Sequence, residues 1–277
     1  MEKTVQAAWA AIQSADVLLI GAGAGLSSAA GLTYSGQRFE EHFAPFIKAY
    51  GLTDMYSAGF HPYPTAEAEW AYWAKHIYHN RYADTGLPLY RKLFQLVKDK
   101  DYFVITTNVD SQFMKAGFNQ QRFFEVQGNY GEFQCSVPCR QLVYDNQDQI
   151  MAMLADSGDK LEIPSQLLPA CPACGAPMTR HLRVDDSFVQ DESWYQQQEN
   201  YGNFLRQLEG KKVVLLELGV GYNTPTIIRF PFEQLTYHLP SARLIRFNQT
   251  DLQGFDENKD KTLTITMTIE EVLDSWL

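Results

Sequence analysis

A short apolar run that ends in a cluster of glycines constrains this chain more than any other feature. Val17 to Ile20 is continuously apolar and runs directly into GAGAGLSSAAG, residues 21–31. Such runs suit a strand of a parallel sheet, which is covered on both faces. Glycine permits the tight turn, and a helical pattern follows it. Strand, glycine turn and helix open a dinucleotide-binding βαβ unit, with turn amides and a helix N-terminus facing a pyrophosphate. Gly23, Ala24, Gly25 and Ser27 are the candidate contacts. In ordinary dehydrogenases an acidic residue roughly 20 positions on binds the ribose. Glu40 and Glu41 fall near that place but end no second strand, which argues against a dehydrogenase.

The rest of the chain repeats the alternation. Residues 3–13, 66–82, Pro88–Lys98 and Ile269–Leu277 carry apolar residues at helical spacing. Tyr102–Thr106, Phe123–Val126, Val213–Leu218, Leu244–Phe247 and Leu263–Met267 read as further strands, and Thr224 and Pro225 as the start of a helix. The fold expected is α/β, a doubly wound Rossmann-type parallel sheet formed by residues of about 1–50, 86–130 and 201–277. A helical segment fills about 51–85, where Trp70, Tyr72, Trp73 and Tyr78 belong to a core. Residues of about 131–200, polar and proline-containing, form an inserted module.

That module holds all four cysteines, as Cys135-x-x-x-Cys139 and Cys171-x-x-Cys174. Two short-spaced pairs in an otherwise cysteine-free chain suit a tetrahedral structural zinc site with no open position. The formal net charge of -10 excludes a general nucleic-acid surface, which needs clustered Lys and Arg. No apolar run approaches the ~20 residues that span a bilayer. The N-terminus lacks a basic flank and cleavage site, so a cytoplasmic protein with neither nucleic-acid nor membrane partner is expected.

Read together, the motifs resemble those of the sirtuins. That family opens with G-A-G-I-S-x-x-S-G-I-P-D-F-R, and this chain reads GAGLSSAAGLTYSG from Gly23 to Gly36. Its T-Q-N-I-D-x-L-H-x-x-A-G is similar to TTNVDSQFMKAG, Thr106 to Gly117. Its H-G-S corresponds to Gln127-Gly128-Asn129, its zinc cysteine pairs follow, its G-T-S falls on Gly219-Val220-Gly221, and its I-N on Phe247-Asn248. Three departures stand out. P-D-F-R is replaced by Thr33-Tyr34-Ser35-Gly36, L-H by Gln112-Phe113, and the general-base histidine by Gln127. This combination resembles class M, the macrodomain-associated sirtuins of microbial pathogens. The resemblance implies a protein ADP-ribosyltransferase that consumes NAD and modifies a lipoyl-carrier protein of the glycine-cleavage H type, with a macrodomain hydrolase as functional partner.

The residues allow a chemical reading beside the resemblance. Asn108 and Asp110 follow a strand, where ligands of doubly wound sheets sit. They can hold the nicotinamide ribose, and Asp110 can stabilise the positive charge that develops at C1′ as nicotinamide leaves. Gln127 cannot titrate, so it cannot act as a general base for deacylation, although it can hydrogen-bond ribose hydroxyls. Gly219, Val220 and Gly221 offer backbone contacts to the adenosine ribose, and Asn248 with its neighbour Gln249 offers side-chain amides. Arg183, Asp185, Asp186 and Phe188 occupy the segment where sirtuins hold substrate peptides. His181 is expected to serve structure rather than catalysis. Alternative readings are an NAD-dependent lysine deacylase with another base, a catalytically inactive NAD-binding scaffold, and glycohydrolase activity on the side.

Overall fold

The structure is a computed structural model, described here for residues 2–157 and 160–277. Helix α1 (Glu2–Ser14) leads into β1 (Val17–Ala22), followed by α2 (Ala24–Ala29). Three helices come next, α3 (Gln37–Tyr50), α4 (Met55–Ala58) and α5 (Ala66–Ile77), the last passing into a π-helical turn, Tyr78–Tyr82. Then come α6 (Pro88–Val97), β2 (Asp101–Thr106), α7 (Gln112–Lys115), β3 (Phe123–Glu125), β4 (Gly128–Cys135), β5 (Val143–Asp145) and α8 (Gln147–Ser157). The chain closes with β6 (Met178–Leu182), α9 (Glu192–Arg206), β7 (Val213–Leu218), α10 (Arg229–His238), β8 (Arg243–Phe247), β9 (Thr262–Ile265) and α11 (Ile269–Trp276).

Six strands pair in parallel in the order β3-β2-β1-β7-β8-β9, the doubly wound α/β sheet expected. β1 and β7 are buried along their whole length, which is why β1 reads as an apolar run and β7 as one broken only by Glu217. Leu18, Ile20 and Ala22 face one core with α1, α6 and α11; Val17 and Leu19 face the other with α9 and α10. Burying each of these large aliphatic side chains contributes roughly 1.5–3 kcal/mol. Thr224 and Pro225 lie in a turn, and α10 begins only at Arg229.

A three-stranded antiparallel sheet, β5-β4-β6, stands beside the large one. Its core is shared with the helices before it. Trp70, Tyr72 and Trp73 pack in one cluster with Phe133, Cys135 and Cys171. Helical segment and cysteine module therefore form one lobe built from two distant stretches of chain. Helix α9, by contrast, sends Trp194 and Phe204 into the core of the large sheet. Its residues 192–200 therefore pack with the parallel sheet rather than with the cysteines.

Candidate active site

The strand order reverses direction between β1 and β7, so the crevice of a doubly wound sheet opens at their carboxyl ends. The two turns there are packed on each other. A Cβ on Gly23 would sit 2.7 Å from the Gly219 carbonyl oxygen, and one on Gly25 2.7 Å from Gly219 Cα. Gly219 itself has φ +59°, and a Cβ there would reach 2.4 Å from the Gly25 carbonyl carbon. Glycine at these places is required by turn-on-turn contact. The amides of Gly23, Gly25 and Leu26 already donate to the carbonyls of Leu218, Gly219 and Gly23, at 3.0 Å each. These amides are spent on the scaffold. Glu40 and Glu41 lie exposed on α3.

Asn108, Asp110 and Ser27 come together beneath this turn. Asn108 Nδ2 donates to the Gly23 carbonyl at 3.0 Å and to Tyr90 Oη at 3.2 Å. Tyr90 Oη lies 2.7 Å from Ser27 Oγ, which donates to Asp110 Oδ2 at 2.5 Å. With Asn108 as donor at one end and Ser27 donating at the other, Tyr90 must donate to Ser27. Asp110 Oδ1 accepts the Gln112 amide at 3.1 Å. Burial raises the Asp110 carboxyl above its usual range, opposed by the Ser27 hydroxyl and the Gln112 amide. Ser111, directly after it, has φ 56°, the only positive φ outside glycine among the described residues. Strain of this kind costs on the order of 1–3 kcal/mol and collects at functional sites.

Gln127 stands where the chain leaves β3 for β4. It is half-buried, and its side chain makes no hydrogen bond among the described residues. Its carbonyl accepts the Arg183 amide at 3.1 Å, which brings the 183–188 segment beside it. Gly128 has φ +79°, and a Cβ would run into the His181 carbonyl oxygen, so the close approach of β6 to the start of β4 demands glycine. His181 is buried, with Nδ1 at 2.8 Å from Glu132 and Nε2 at 2.8 Å from the Val189 carbonyl, and Phe188 stacks on its ring. Gln112 is buried too, and holds the loop before α6 through the Leu87 amide and Asp84. Asn248 ties the ends of β8 and β7 together. Its Nδ2 donates to the Val220 carbonyl at 2.9 Å, and its Oδ1 accepts the amides of Thr250 and Asp251 at 3.0 and 2.9 Å. Gln249 is exposed.

Sequence reasoning missed three groups. Tyr90 carries no motif signal, because its partners are more than 15 residues away. Glu125, at the end of β3, has its carboxyl pushed up by burial to about 8, with Arg81 opposing the shift. The third is a buried ion cluster behind the Gly219 turn. Glu217 accepts from Arg229 at 3.0 Å and from Arg246 at 2.7 Å, and Arg246 also reaches Glu233 at 2.7 Å. Arg229 and Arg246 further donate to the carbonyls of Val220 and Gln253, so the cluster fixes both loops that follow β7 and β8.

The four cysteine sulfurs lie within 4.8 Å of one another, with Cys135–Cys174 and Cys139–Cys171 Sγ distances of 3.6 Å. A tetrahedral zinc with Zn–S bonds of about 2.3 Å spaces its sulfurs by nearly this amount, whereas a disulfide brings two sulfurs to about 2.05 Å. The donor set fits a closed zinc site without an open catalytic position.

Solved structures with the same architecture are sirtuins. One, from work on the structural basis of sirtuin substrate affinity, matches with TM-score 0.61 and 16% identity over 100% of this chain and 98% of that one. Another, a mutant of a Sir2 homologue in complex with ADP-ribose, matches with TM-score 0.59 and 13% identity over 98% of this chain and 94% of that one. No protein-family model matches the chain. The "Protein ADP-ribosyltransferase" of Staphylococcus aureus is 36% identical over 279 aligned positions, covering 100% of this chain and 88% of that protein. A second relative, from Fusarium oxysporum f. sp. cubense, is the "Probable bifunctional ADP-ribose hydrolase/ADP-ribosyltransferase". It is 35% identical over 81% of this chain, which spans only 38% of that longer protein. This chain has the sirtuin fold. It belongs to the protein ADP-ribosyltransferase family of sirtuin type.

Proposed function

We propose that this protein cleaves NAD, releases nicotinamide and transfers ADP-ribose to a protein acceptor. The observation that carries the reading is a buried Asp110 hydrogen-bonded to no cation among the described residues, together with an untitratable Gln127. Asp110 accepts from a hydroxyl and an amide and, among the described residues, hydrogen-bonds no guanidinium or ammonium; Lys115 acts on it only from a distance. The Asp110 charge is therefore left to stabilise the oxocarbenium-like C1′ as the nicotinamide bond breaks. NAD supplies the glycosidic bond and the ADP-ribosyl group. Asn108, its Nδ2 hydrogens spent on Gly23 and Tyr90, presents its Oδ1 as an acceptor for a ribose hydroxyl. Gly219, Val220, Gly221, Asn248 and Gln249 take the adenosine end; the middle of the cofactor runs over the turn of Gly23, Ala24, Gly25 and Ser27, which meets it by close packing because the Gly23 and Gly25 amides and the Ser27 hydroxyl are committed to the scaffold. Gln127 can orient ribose hydroxyls but cannot remove a proton from one, so the step that deacylation requires is missing.

The acceptor we favour is a lipoylated carrier protein of the glycine-cleavage H type, with a macrodomain hydrolase reversing the modification. The resemblance to class M sirtuins and the bifunctional relative support this choice. The acceptor would approach along Arg183, Asp185, Asp186 and Phe188, beside Gln127. A cytoplasmic location follows from such a partner; no described helix is long and apolar enough to cross a membrane. Asp110→Asn tests the catalytic role. Nicotinamide release is expected to fall by about 10²- to 10³-fold, with the thermal midpoint unchanged or raised because a disfavoured buried charge is removed. Undiminished release by this variant would refute the assignment.

A further inference from the structure

The loop that departs most from the sirtuin pattern, Thr33 to Gly36, is firmly moored. The Thr33 carbonyl accepts from Arg38 Nη1 at 2.9 Å, and the Tyr34 carbonyl accepts the Met55 amide at 2.7 Å. Arg38 is itself held by the His79 carbonyl at 2.7 Å. The Tyr34 side chain then enters a buried row of polar groups. Tyr34 Oη lies 2.7 Å from Tyr130 Oη, and Tyr130 Oη lies 2.9 Å from His76 Nε2. His76 Nδ1 lies 3.1 Å from Tyr72 Oη, which donates to the Met55 carbonyl at 2.9 Å. Tyr130, His76 and Tyr72 are all buried.

One arrangement of hydrogens satisfies the row. The Met55 carbonyl can only accept, so the Tyr72 hydrogen points at it and Tyr72 Oη accepts from His76. His76 therefore carries its hydrogen on Nδ1, and Nε2 accepts from Tyr130. With that hydrogen spent, Tyr130 Oη accepts from Tyr34. The alternative, an imidazolium, is closed: burial, reinforced by Arg38 and Arg180, pushes His76 down to about 3. For the same reason the row orders hydroxyls and does not carry protons away. Tyr34 is left with its hydrogen committed inward and only lone pairs for any ligand. The loop leads out of the glycine turn, and the Tyr130 amide donates to the Val109 carbonyl at 2.9 Å, which sets the row against the loop that carries Asn108 and Asp110.

Resting on the reading of the crevice as the NAD site, we propose that Tyr34 is a positioning residue for the nicotinamide riboside. It would be a hydrogen-bond acceptor, locked by Tyr130, His76 and Tyr72, for the carboxamide N–H or a ribose hydroxyl. Tyr34→Phe keeps the ring and deletes the acceptor. His76→Leu breaks the row, whereas His76→Gln offers one acceptor and one donor and can restore it. Calorimetry with NAD and the rate of nicotinamide release would be measured on wild type and the three variants. Tyr34→Phe and His76→Leu are each expected to raise the Kd and KM for NAD by about 3- to 10-fold, the worth of one hydrogen bond. Their kcat should stay within about 2-fold, and His76→Gln should lie near wild type. Weaker product inhibition by free nicotinamide in Tyr34→Phe would assign the donor to the carboxamide; unchanged inhibition would assign it to the ribose. An unchanged Kd in Tyr34→Phe overturns the proposal, and this variant decides the matter even if the His76 variants fail to fold. Wild type that neither binds nor cleaves NAD would instead overturn the reading of the site.

Discussion

The two sides of the crevice hold carboxyl groups in opposite ways. Behind the turns of β7 and β8, Glu217 and Glu233 are buried against Arg229 and Arg246, and both loops are tied down by full charges. Behind the turns of β1, β2 and β3, the buried Asp110 and the half-buried Glu125 have no cation at hydrogen-bond distance among the described residues. Uncharged chains of hydroxyl, amide and imidazole do the fixing there. A paired carboxylate has its charge already answered and serves as scaffold. An unpaired one keeps its charge or its proton available to a ligand. One side is built to stay still; under the function proposed above, the other meets charge as it develops.

The comparison breaks most visibly if a cation is removed from the paired side. Arg246→Met takes from Glu233 its cation and leaves Glu217 with Arg229 alone, and is expected to cost about 3–5 kcal/mol in urea unfolding. Loss of less than about 1 kcal/mol would mean that the ions contribute little.

A pH series sharpens the other side. Glu125 titrates in the folded chain at about 8, against an ordinary 4.5. The folded state holds its proton more tightly, so its contribution is full below 4.5 and is lost as pH rises towards 8. His76 runs the other way: held down to about 3 from 6.5, its contribution is full above 6.5 and is lost as pH falls. Each slope is about 1.4 kcal/mol per pH unit. They oppose each other between 4.5 and 6.5, leaving Glu125 to pull stability down from 6.5 to 8. Glu125→Gln should remove that decline, gaining about 2 kcal/mol on wild type across the window. A parallel pH dependence in variant and wild type would show that the carboxyl is not buried as described.

The smallest effect belongs to Tyr222, whose ring lies 4.6 Å from the Arg229 guanidinium. Tyr222→Ala should cost about 0.5–1 kcal/mol in thermal or urea unfolding. A larger loss would place this exposed ring within the ion cluster's support.

What could be read from sequence follows the same division. β1 and β7 announced themselves because a strand covered on both faces is mostly apolar, with Glu217 the one charge in β7. Asn108, Asp110 and Gln127 were legible because the motif residues follow their strands directly. The ion cluster was not. Glu217 sits in VVLLEL and Arg246 in RLIRF, where neither charge gives a sign of a partner 29 residues away. The row from Tyr34 to Tyr72 was hidden likewise, since Tyr34 and Tyr130 meet across 96 residues. The shared core of the helical segment and the cysteine module also depends on contacts that no local period encodes.

Under the proposed function, Asp110 and Gln127 direct NAD towards ADP-ribosyl transfer instead of deacylation. The most direct test is the intact mass of a lipoylated carrier protein after incubation with NAD and this enzyme, beside an acyl-lysine peptide in the same tube. The account predicts that the carrier gains one ADP-ribose, that nicotinamide appears in equal amount and that the peptide keeps its acyl group. An unmodified carrier beside a deacylated peptide would contradict it.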